Sequence, residues 1–491
     1  MPTPSATKTE TVARYVTLGT AAFFIVAGAV TVFFEIKPFW LDEWFLIDNL
    51  KFRSAWELWG RLDHVQQFPR LYLQLLDWFA ASLDYSYAAL RLPSFLVHTL
   101  GILVCYRLSA RLFSDRRLDR YLWVLIFISF KTSIQYFVQV KQYTMEMALG
   151  VVGLWQLLSL LETAKGNRKN PWAYALLCAS FVVVPFFSYT YPIVVAPAIA
   201  VVLGLEVLGN KRLPGPRVLI PVFLATGSIA AFYVIDARQV LQDPGMQNYW
   251  QGFMMSNGFK MGLLKHVFVL FFNLGTGALF GTVLGLLGIT GWVLATARAV
   301  RLLGKRGDGY GSPLVLYSAL LTWIMVGLFF AGKLPLGSDR LNAFATPALG
   351  ILALFGVHWL RQFEILRKVL PAATMFLILG VAGNVYVATI RELTSTVHEQ
   401  QLSIYRNVAA GIETARTEKL PILVTPQVAY PFADQVQGDW VLKTHPKYRK
   451  SEMLQVCPVK DERAALGALR DLAAPKAVLI NGDKFKIIGV E

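Results

Sequence analysis

Two adjacent carboxylates, Asp42 and Glu43, follow the first long apolar run of the chain and open an aromatic-rich stretch. Acidic side chains are costly to keep near lipid, so a pair of them where an apolar run ends suggests chemistry at the water boundary. One carboxylate can take a proton from an attacking hydroxyl while its neighbour orients or shares that proton. The plainer alternative is that the pair only marks the membrane interface. Lys141 and Arg340 stand in short turns close to predicted helix ends, and Lys333 lies in the same compact stretch as Arg340. A guanidinium grips phosphate in a bidentate fork and an ammonium acts as a point charge, so these three read as candidate phosphate ligands. Snorkelling for Lys141 and an ion pair with Asp339 for Arg340 are the bland alternatives.

Tyr143, Tyr189 and Tyr191 are candidates to line a sugar or prenyl cavity, although tyrosine belts are routine at membrane interfaces. Glu146 is one turn from Tyr143 inside an apolar run. A carboxylate in such a place faces a cavity or a partner, with Lys141 or Lys131 as the nearby positive charge. His64 and His266 are weaker candidates for touching substrate, the alternative being ordinary surface histidines.

These residues need elements to position them. The stretch from Tyr15 to Phe34 carries no charge, and at about 1.5 Å per residue it crosses a hydrocarbon core of ~30 Å. It passes into Glu35, Lys37 and Trp40 without a small-residue cleavage site, so it reads as an uncleaved anchor. The chain is 55% hydrophobic and only 16% charged, with a mean hydropathy of +0.49. One soluble core cannot hide that much apolar surface, which makes this a polytopic membrane protein.

The net charge of +16 is not spread as a nucleic-acid stripe. Its clusters are Arg111, Arg116, Arg117 and Arg120; Lys165, Arg168 and Lys169; Lys211, Arg212 and Arg217; Arg298, Arg301, Lys305 and Arg306; and Arg361, Arg367 and Lys368. They occupy alternate connections, as cytoplasmic loops do. Under that constraint the apolar runs give spans near 15–36, 90–110, 121–139, 143–162, 172–189, 191–208, 218–236, 275–297, 314–332, 342–360 and 369–390, about eleven helices. The amino terminus is then cytoplasmic and the tail extracytoplasmic, in a cell inner or plasma membrane.

On that topology the extracytoplasmic stretches able to build a site are Lys37 to Ala89, Ala237 to Leu274, and Lys333 to Phe344. Phe68 to Leu83 and Met261 to Asn273 each mix apolar and charged residues and can lie flat at the membrane edge. The fold class is therefore all-α and polytopic, with membrane-edge helices in the first extracytoplasmic loop and a small C-terminal α/β domain. Residues 1–390 form the transmembrane domain and 391–491 the outer domain of about a hundred residues. Within the latter, Pro421 to Thr425 reads as a strand, Asp461 to Leu472 as a helix, and Ala477 to Val490 as a hairpin around Asn481-Gly482-Asp483.

Cys105, Cys178 and Cys457 form no disulfide framework or CxxC pattern, and the histidines lack zinc spacing. Neither a P-loop nor a GxGxxG before a helix is present, so an ATP-driven pump is disfavoured. No cofactor is called for with certainty. A divalent metal is not indicated, and if one binds, Glu57, Asp63 and Glu146 are the carboxylates on offer.

The order of motifs resembles a known superfamily. An acidic pair follows helix one, then come membrane-edge helices, Phe68-Pro69-Arg70-Leu71-Tyr72, and Arg91-Leu92-Pro93-Ser94 opening helix two. Further on stand Tyr136-Phe137-Val138-Gln139-Val140-Lys141-Gln142-Tyr143, and Arg340 followed by Pro347. Over roughly residues 38–350 this pattern is similar to the GT-C superfamily of lipid-dependent glycosyltransferases, in the branch with protein O-mannosyltransferases and the lipid A aminoarabinose transferase. Gln139 stands where many of those proteins carry an acid, Arg70 replaces a second proline, and His64 lies further from Pro69 than in their usual His-Pro pairing.

The resemblance implies transfer of a sugar, hexosyl or pentosyl, from a polyprenyl-phosphate donor to a glycan, lipid or protein acceptor on the outer face of the membrane. No nucleic acid is involved. Such a donor brings its own leaving phosphate, so the protein must supply a base for the acceptor hydroxyl and cations for the phosphate. Asp42 is the candidate base of an inverting displacement, with Glu43 beside it. A transporter or flippase for lipid-linked sugars would also need many helices and intramembrane charges, but the repeated halves common in transporters are not found here. A non-catalytic scaffold presenting the outer domain is the third reading.

Overall fold

The computed structural model describes residues 7–34, 36–37, 39, 41–62, 66–83, 85–167, 170–242, 262–299 and 312–395, with 410–411, 413–415, 417–424, 456–458, 465, 469, 476–481 and 484–489 of the tail. Among these, nine helices are long and apolar enough to cross a membrane. They are Lys8–Phe33, Tyr87–Leu112, Tyr143–Ala164, Tyr191–Gly209, Pro216–Val240, Ala278–Ala297, Pro313–Phe330, Arg340–Leu360 and Glu364–Leu393. At the two other expected spans, 121–139 and 172–189, the helices are shorter: Arg117–Ser129 and Pro171–Phe187. His64 and Asp63, the tail turn at 482–483, most of the expected tail helix, and Arg168, Lys169, Arg301, Lys305 and Arg306 lie outside the described residues.

The helices α1 (Lys8–Phe33), α2 (Leu41–Phe52), α3 (Arg70–Ser82) and α4 (Tyr87–Leu112) come first. The start of α1 precedes its apolar run because Thr7 and Glu10 form a reciprocal cap: the Thr7 amide donates to Glu10 Oε2 at 3.0 Å, and the Glu10 amide to Thr7 Oγ1 at 3.2 Å. Within α1, Thr17 and Thr20 return their hydroxyl protons to the carbonyls of Ala13 and Val16, which makes them tolerable in an apolar helix.

Next are α5 (Arg117–Ser129) and α6 (Lys131–Tyr136), separated where Phe130 takes φ −56° and ψ 135°. The break is sustained by carbonyls from elsewhere: the Lys131 amide donates to Asn273 O at 3.1 Å and Ser129 Oγ to Leu274 O at 3.0 Å. The backbone and hydroxyl groups near the kink thereby find partners despite burial. Residues 137–142 then turn into α7 (Tyr143–Ala164).

After these come α8 (Pro171–Val183), α9 (Tyr191–Gly204), α10 (Pro216–Phe232), the short α11 (Arg238–Leu241) and α12 (Gly262–Phe272), then α13 (Ala278–Ala297), α14 (Ser312–Phe330), α15 (Thr346–Leu360) and α16 (Glu364–Leu393). The most enclosed segment is Arg340–Leu360, 83% buried. Glycines let its neighbours approach closely. A Cβ on Gly291 would strike Leu352 O, one on Gly356 would strike Leu287 O, and one on Gly150 would strike Phe344 O. Small residues at helix crossings are how membrane helices reach van der Waals contact.

The fold divides into two compact units, one of Met1–Ala29, Phe68–Tyr72 and Leu92–Glu392, the other of Val30–Gln67, Leu73–Arg91 and Leu393–Glu491. The second contains α2 and a tail sheet in the order β2-β1-β3-β4, where β1 is Ile422–Val424, β2 Val456–Pro458, β3 Lys476–Asn481 and β4 Lys484–Gly489. β1 runs parallel to both β2 and β3, while β3 and β4 form the antiparallel hairpin with Asn481 opposite Lys484. Leu423, Ala465, Leu469, Ala477, Leu479 and Ile488 make its core.

Candidate active site

In the second unit the acidic pair sits in the first turn of α2, where carboxylates complement the exposed amides of a helix start. The two acids have different surroundings. Glu43 is fully buried and meets Arg91, itself fully buried, with Nη1 at 3.3 Å from Oε1 and Nη2 at 3.4 Å from Oε2. The guanidinium packs against the rings of Phe39 and Tyr87, at 4.6 and 4.8 Å from their centroids, which are themselves 4.9 Å apart. Its Nη2 also donates to Lys37 O at 3.1 Å, and Tyr87 donates to the same carbonyl. Asp42, by contrast, is only half-buried. Tyr85 ties α2 to α3 by donating to Leu50 O at 3.1 Å and Asp77 Oδ1 at 3.2 Å.

In the first unit a second buried acid is central. Asp236 accepts from the Arg70 amide at 2.9 Å and from the Tyr189 hydroxyl at 2.7 Å, and Arg70 Nε lies 3.6 Å from its carboxylate. Arg70 is 2% exposed and Asp236 1%. Tyr189 also donates to Phe68 O at 2.9 Å, so the short segment at Phe68–Tyr72 is pinned to the turn before α9. Burial, reinforced by the negative charge of Asp236, pushes the Tyr189 phenol well above its usual range, and Arg70 opposes the shift. Glu146 accepts from Ser188 and Thr190, the residues on either side of Tyr189. Hydroxyls thus satisfy Glu146, while Lys131 pairs with Asp339 at 3.2 Å.

The candidate phosphate ligands occupy rigid turns. Lys141 follows α6 and is 6% exposed. Its carbonyl accepts from Ser94 at 3.5 Å, and Ser94 in turn meets the Tyr72 hydroxyl at 3.2 Å. Burial pushes that phenol up to about 12, against the lowering effect of the Ser94 bond. Arg340 opens the turn Arg340–Ala345, capped by Asp339, whose Oδ1 accepts the Arg340 amide at 2.9 Å. The Arg340 guanidinium stands over the Tyr143 ring at 5.8 Å. Asn342 holds the preceding loop by donating to the carbonyls of Pro335, Leu336 and Ser338 at 2.9, 3.1 and 2.6 Å. A cation on so constrained a turn loses little freedom when it meets an anion.

The remaining expected residues fall elsewhere. Tyr191 is fully buried and donates to Gln156 at 2.8 Å, a core contact of α9 with α7. Lys333 is exposed. His266 packs on Phe329, with ring centroids 4.9 Å apart. Glu57 caps its own turn through Ser54 at 2.7 Å. Among the described residues no three of His, Cys, Asp and Glu gather as metal ligands do. Asp236 and the partnership of Arg91 with Glu43 were not anticipated. An acid at the end of an otherwise apolar run, and an arginine at the start of another, were the signals available.

No family model matches the chain, and no curated protein matches it. Solved structures do. One is ArnT from Cupriavidus metallidurans bound to undecaprenyl phosphate, with a TM-score of 0.55 at 12% identity, covering 96% of this chain and 97% of that one. The chain has the GT-C fold. The oligosaccharyltransferase of Archaeoglobus fulgidus shares it, in the apo form with a TM-score of 0.51 at 12% identity over 94% of this chain and 69% of that one. Its complex with Zn and sulfate gives a TM-score of 0.50 at 12% identity, over 94% and 67%. The likeness to ArnT extends along nearly the whole chain.

Proposed function

We propose that this protein is a glycosyltransferase that moves a sugar from a polyprenyl-phosphate donor to an acceptor at the outer face of the membrane. The observation that carries this is the shared fold, over almost the full length, with a structure holding undecaprenyl phosphate. Asp42, the half-buried member of the acid pair, serves as the base that deprotonates the acceptor hydroxyl. Glu43 is its positioning neighbour, since its carboxylate is committed to Arg91. Lys141 and Arg340 take the donor phosphate, and Tyr143 backs the Arg340 guanidinium. Glu146 and Tyr189 shape the cavity for sugar or prenyl chain, with His64 a further candidate there and Lys333 a further candidate for the phosphate. The amino terminus is cytoplasmic and residues 391–491 form an extracytoplasmic domain.

The reaction breaks the bond between the anomeric carbon and the prenyl phosphate oxygen and forms one to the acceptor oxygen. The proton goes to Asp42 and the prenyl phosphate leaves with its electron pair, an inverting displacement. The test starts from cells lacking the protein. Their lipid extract should contain an accumulated prenyl-phosphate sugar that the purified full chain consumes with an acceptor, releasing free prenyl phosphate. If proteoliposomes carry that sugar lipid across the bilayer intact, the protein is a transporter and the proposal fails.

A further inference from the structure

The break at Phe130 leaves α6 as a separate element of six residues, and two of its side chains are linked to Arg340 by different routes. At its first residue, Lys131 Nζ lies 3.2 Å from Asp339 Oδ2, while Asp339 Oδ1 accepts the Arg340 amide at 2.9 Å. The acid thus faces the lysine with one oxygen and the backbone of the arginine with the other. At its last residue, the Tyr136 ring meets the Tyr143 ring edge-on, with centroids 5.1 Å apart and planes at 72°. The Arg340 guanidinium stands over that same Tyr143 ring at 5.8 Å. One arm of α6 therefore holds the main chain of Arg340 and the other backs its head group. All five residues belong to the first unit.

The short helix is itself fixed. Thr132, Ser133 and Ile134 are buried, the Lys131 amide donates to Asn273 O at 3.1 Å, and the Ser133 hydroxyl lies 3.0 Å from His98 Nε2. The ion pair is more open, with Lys131 47% exposed and Asp339 15%. A pair so accessible to water adds little to global stability, so its effect is geometric. A guanidinium carried on a preset turn, with a ring behind it, has less freedom to lose on meeting an anion.

We infer that Lys131 is a positioning residue for Arg340: its ion pair with Asp339, together with the contact of Tyr136 on Tyr143, presets the guanidinium for a polyprenyl phosphate group. The inference rests on the proposed reading of Arg340 as a ligand of the donor phosphate. Lys131 itself contributes through Asp339 and the turn, not through contact with the phosphate.

Calorimetric titration of undecaprenyl phosphate into the full-length protein in detergent tests it. Lys131→Met should raise the dissociation constant about five-fold at an unchanged melting temperature, and Lys131→Arg, which keeps the ion pair, should bind as the wild type does. In an Arg340→Lys background the cation reaches the phosphate on a flexible stem and does not depend on a preset fork, so Lys131→Met should cause no further loss there. Wild-type affinity in Lys131→Met overturns the inference and leaves the role of Arg340 standing. The same five-fold loss on both backgrounds also overturns it, making Lys131 an independent charge. No saturable binding by the wild type refutes the phosphate reading of Arg340 and the positioning role with it.

Discussion

The Glu43 carboxylate stands 3.3 Å from the Arg91 guanidinium with both side chains fully buried. The second acid of the Asp42-Glu43 pair is thus neutralised by the first residue of the Arg91-Leu92-Pro93-Ser94 motif. Removing one partner strands a charge away from water. Arg91→Met is expected to lower stability by about 3–5 kcal/mol, and Glu43→Gln on that background to restore much of it. Chemical denaturation in detergent checks both. Additive losses would show that the pair is not coupled.

Asp236 plays a corresponding part in the other unit. Asp236→Ala leaves Arg70 buried without its carboxylate and removes the acceptor of Tyr189, so a loss of about 3–5 kcal/mol is expected. Tyr189→Phe keeps the ion pair and drops the hydroxyl's bonds to Asp236 and Phe68 O, for about 1–3 kcal/mol. Unfolding midpoints of the two variants should fall in that order. The reverse order would mean that the tyrosine, not the ion pair, anchors Phe68–Tyr72.

Gly150→Ala tests how the Arg340 turn is held. The added methyl would meet Phe344 O, which must move and take the Arg340–Ala345 turn with it. Overpacking of this kind costs about 1–3 kcal/mol. The expected signature in the proposed reaction is a higher KM for the prenyl donor with little change in expression. Unaltered KM would indicate that Arg340 is indifferent to this packing.

His266 supplies a pH dependence. Burial, with Lys265 adding to it, lowers its folded-state pKa below the ordinary 6.5. Below pH 6.5 the unfolded chain takes up a proton that the folded one refuses, so stability falls as pH drops through that value and is level above it. In His266→Asn the slope below pH 6.5 should flatten, read from unfolding midpoints across buffers. A slope unchanged by the substitution would assign the effect to other groups.

Much of the fold was legible because membrane helices announce themselves by length and apolarity. The positions of Tyr143–Ala164 and Arg340–Leu360 follow directly from the sequence. The break at Phe130 was not legible, since the apolar run continues across it and its supporting carbonyls, Asn273 and Leu274, come from a distant turn. In the tail, β-branched runs and Asn481-Gly482-Asp483 marked β3 and β4, whereas β2, three residues ending in Pro458, carries too little pattern to see. The same contrast holds at the candidate site. Asp42, Glu43, Lys141 and Arg340 were visible as charges at helix ends. That Glu43 belongs to Arg91, and Arg70 to Asp236, depends on non-local packing that spacing along the chain does not encode.

Transfer by Asp42→Asn, assayed on the prenyl-phosphate sugar that accumulates without the protein, bears most directly on the proposed activity. Loss of a general base lowers turnover by roughly 10²–10⁴-fold. The expected result is that loss in kcat, with donor binding and melting temperature kept at wild-type values. Transfer at the wild-type rate would remove Asp42 from the chemistry and contradict the proposed mechanism.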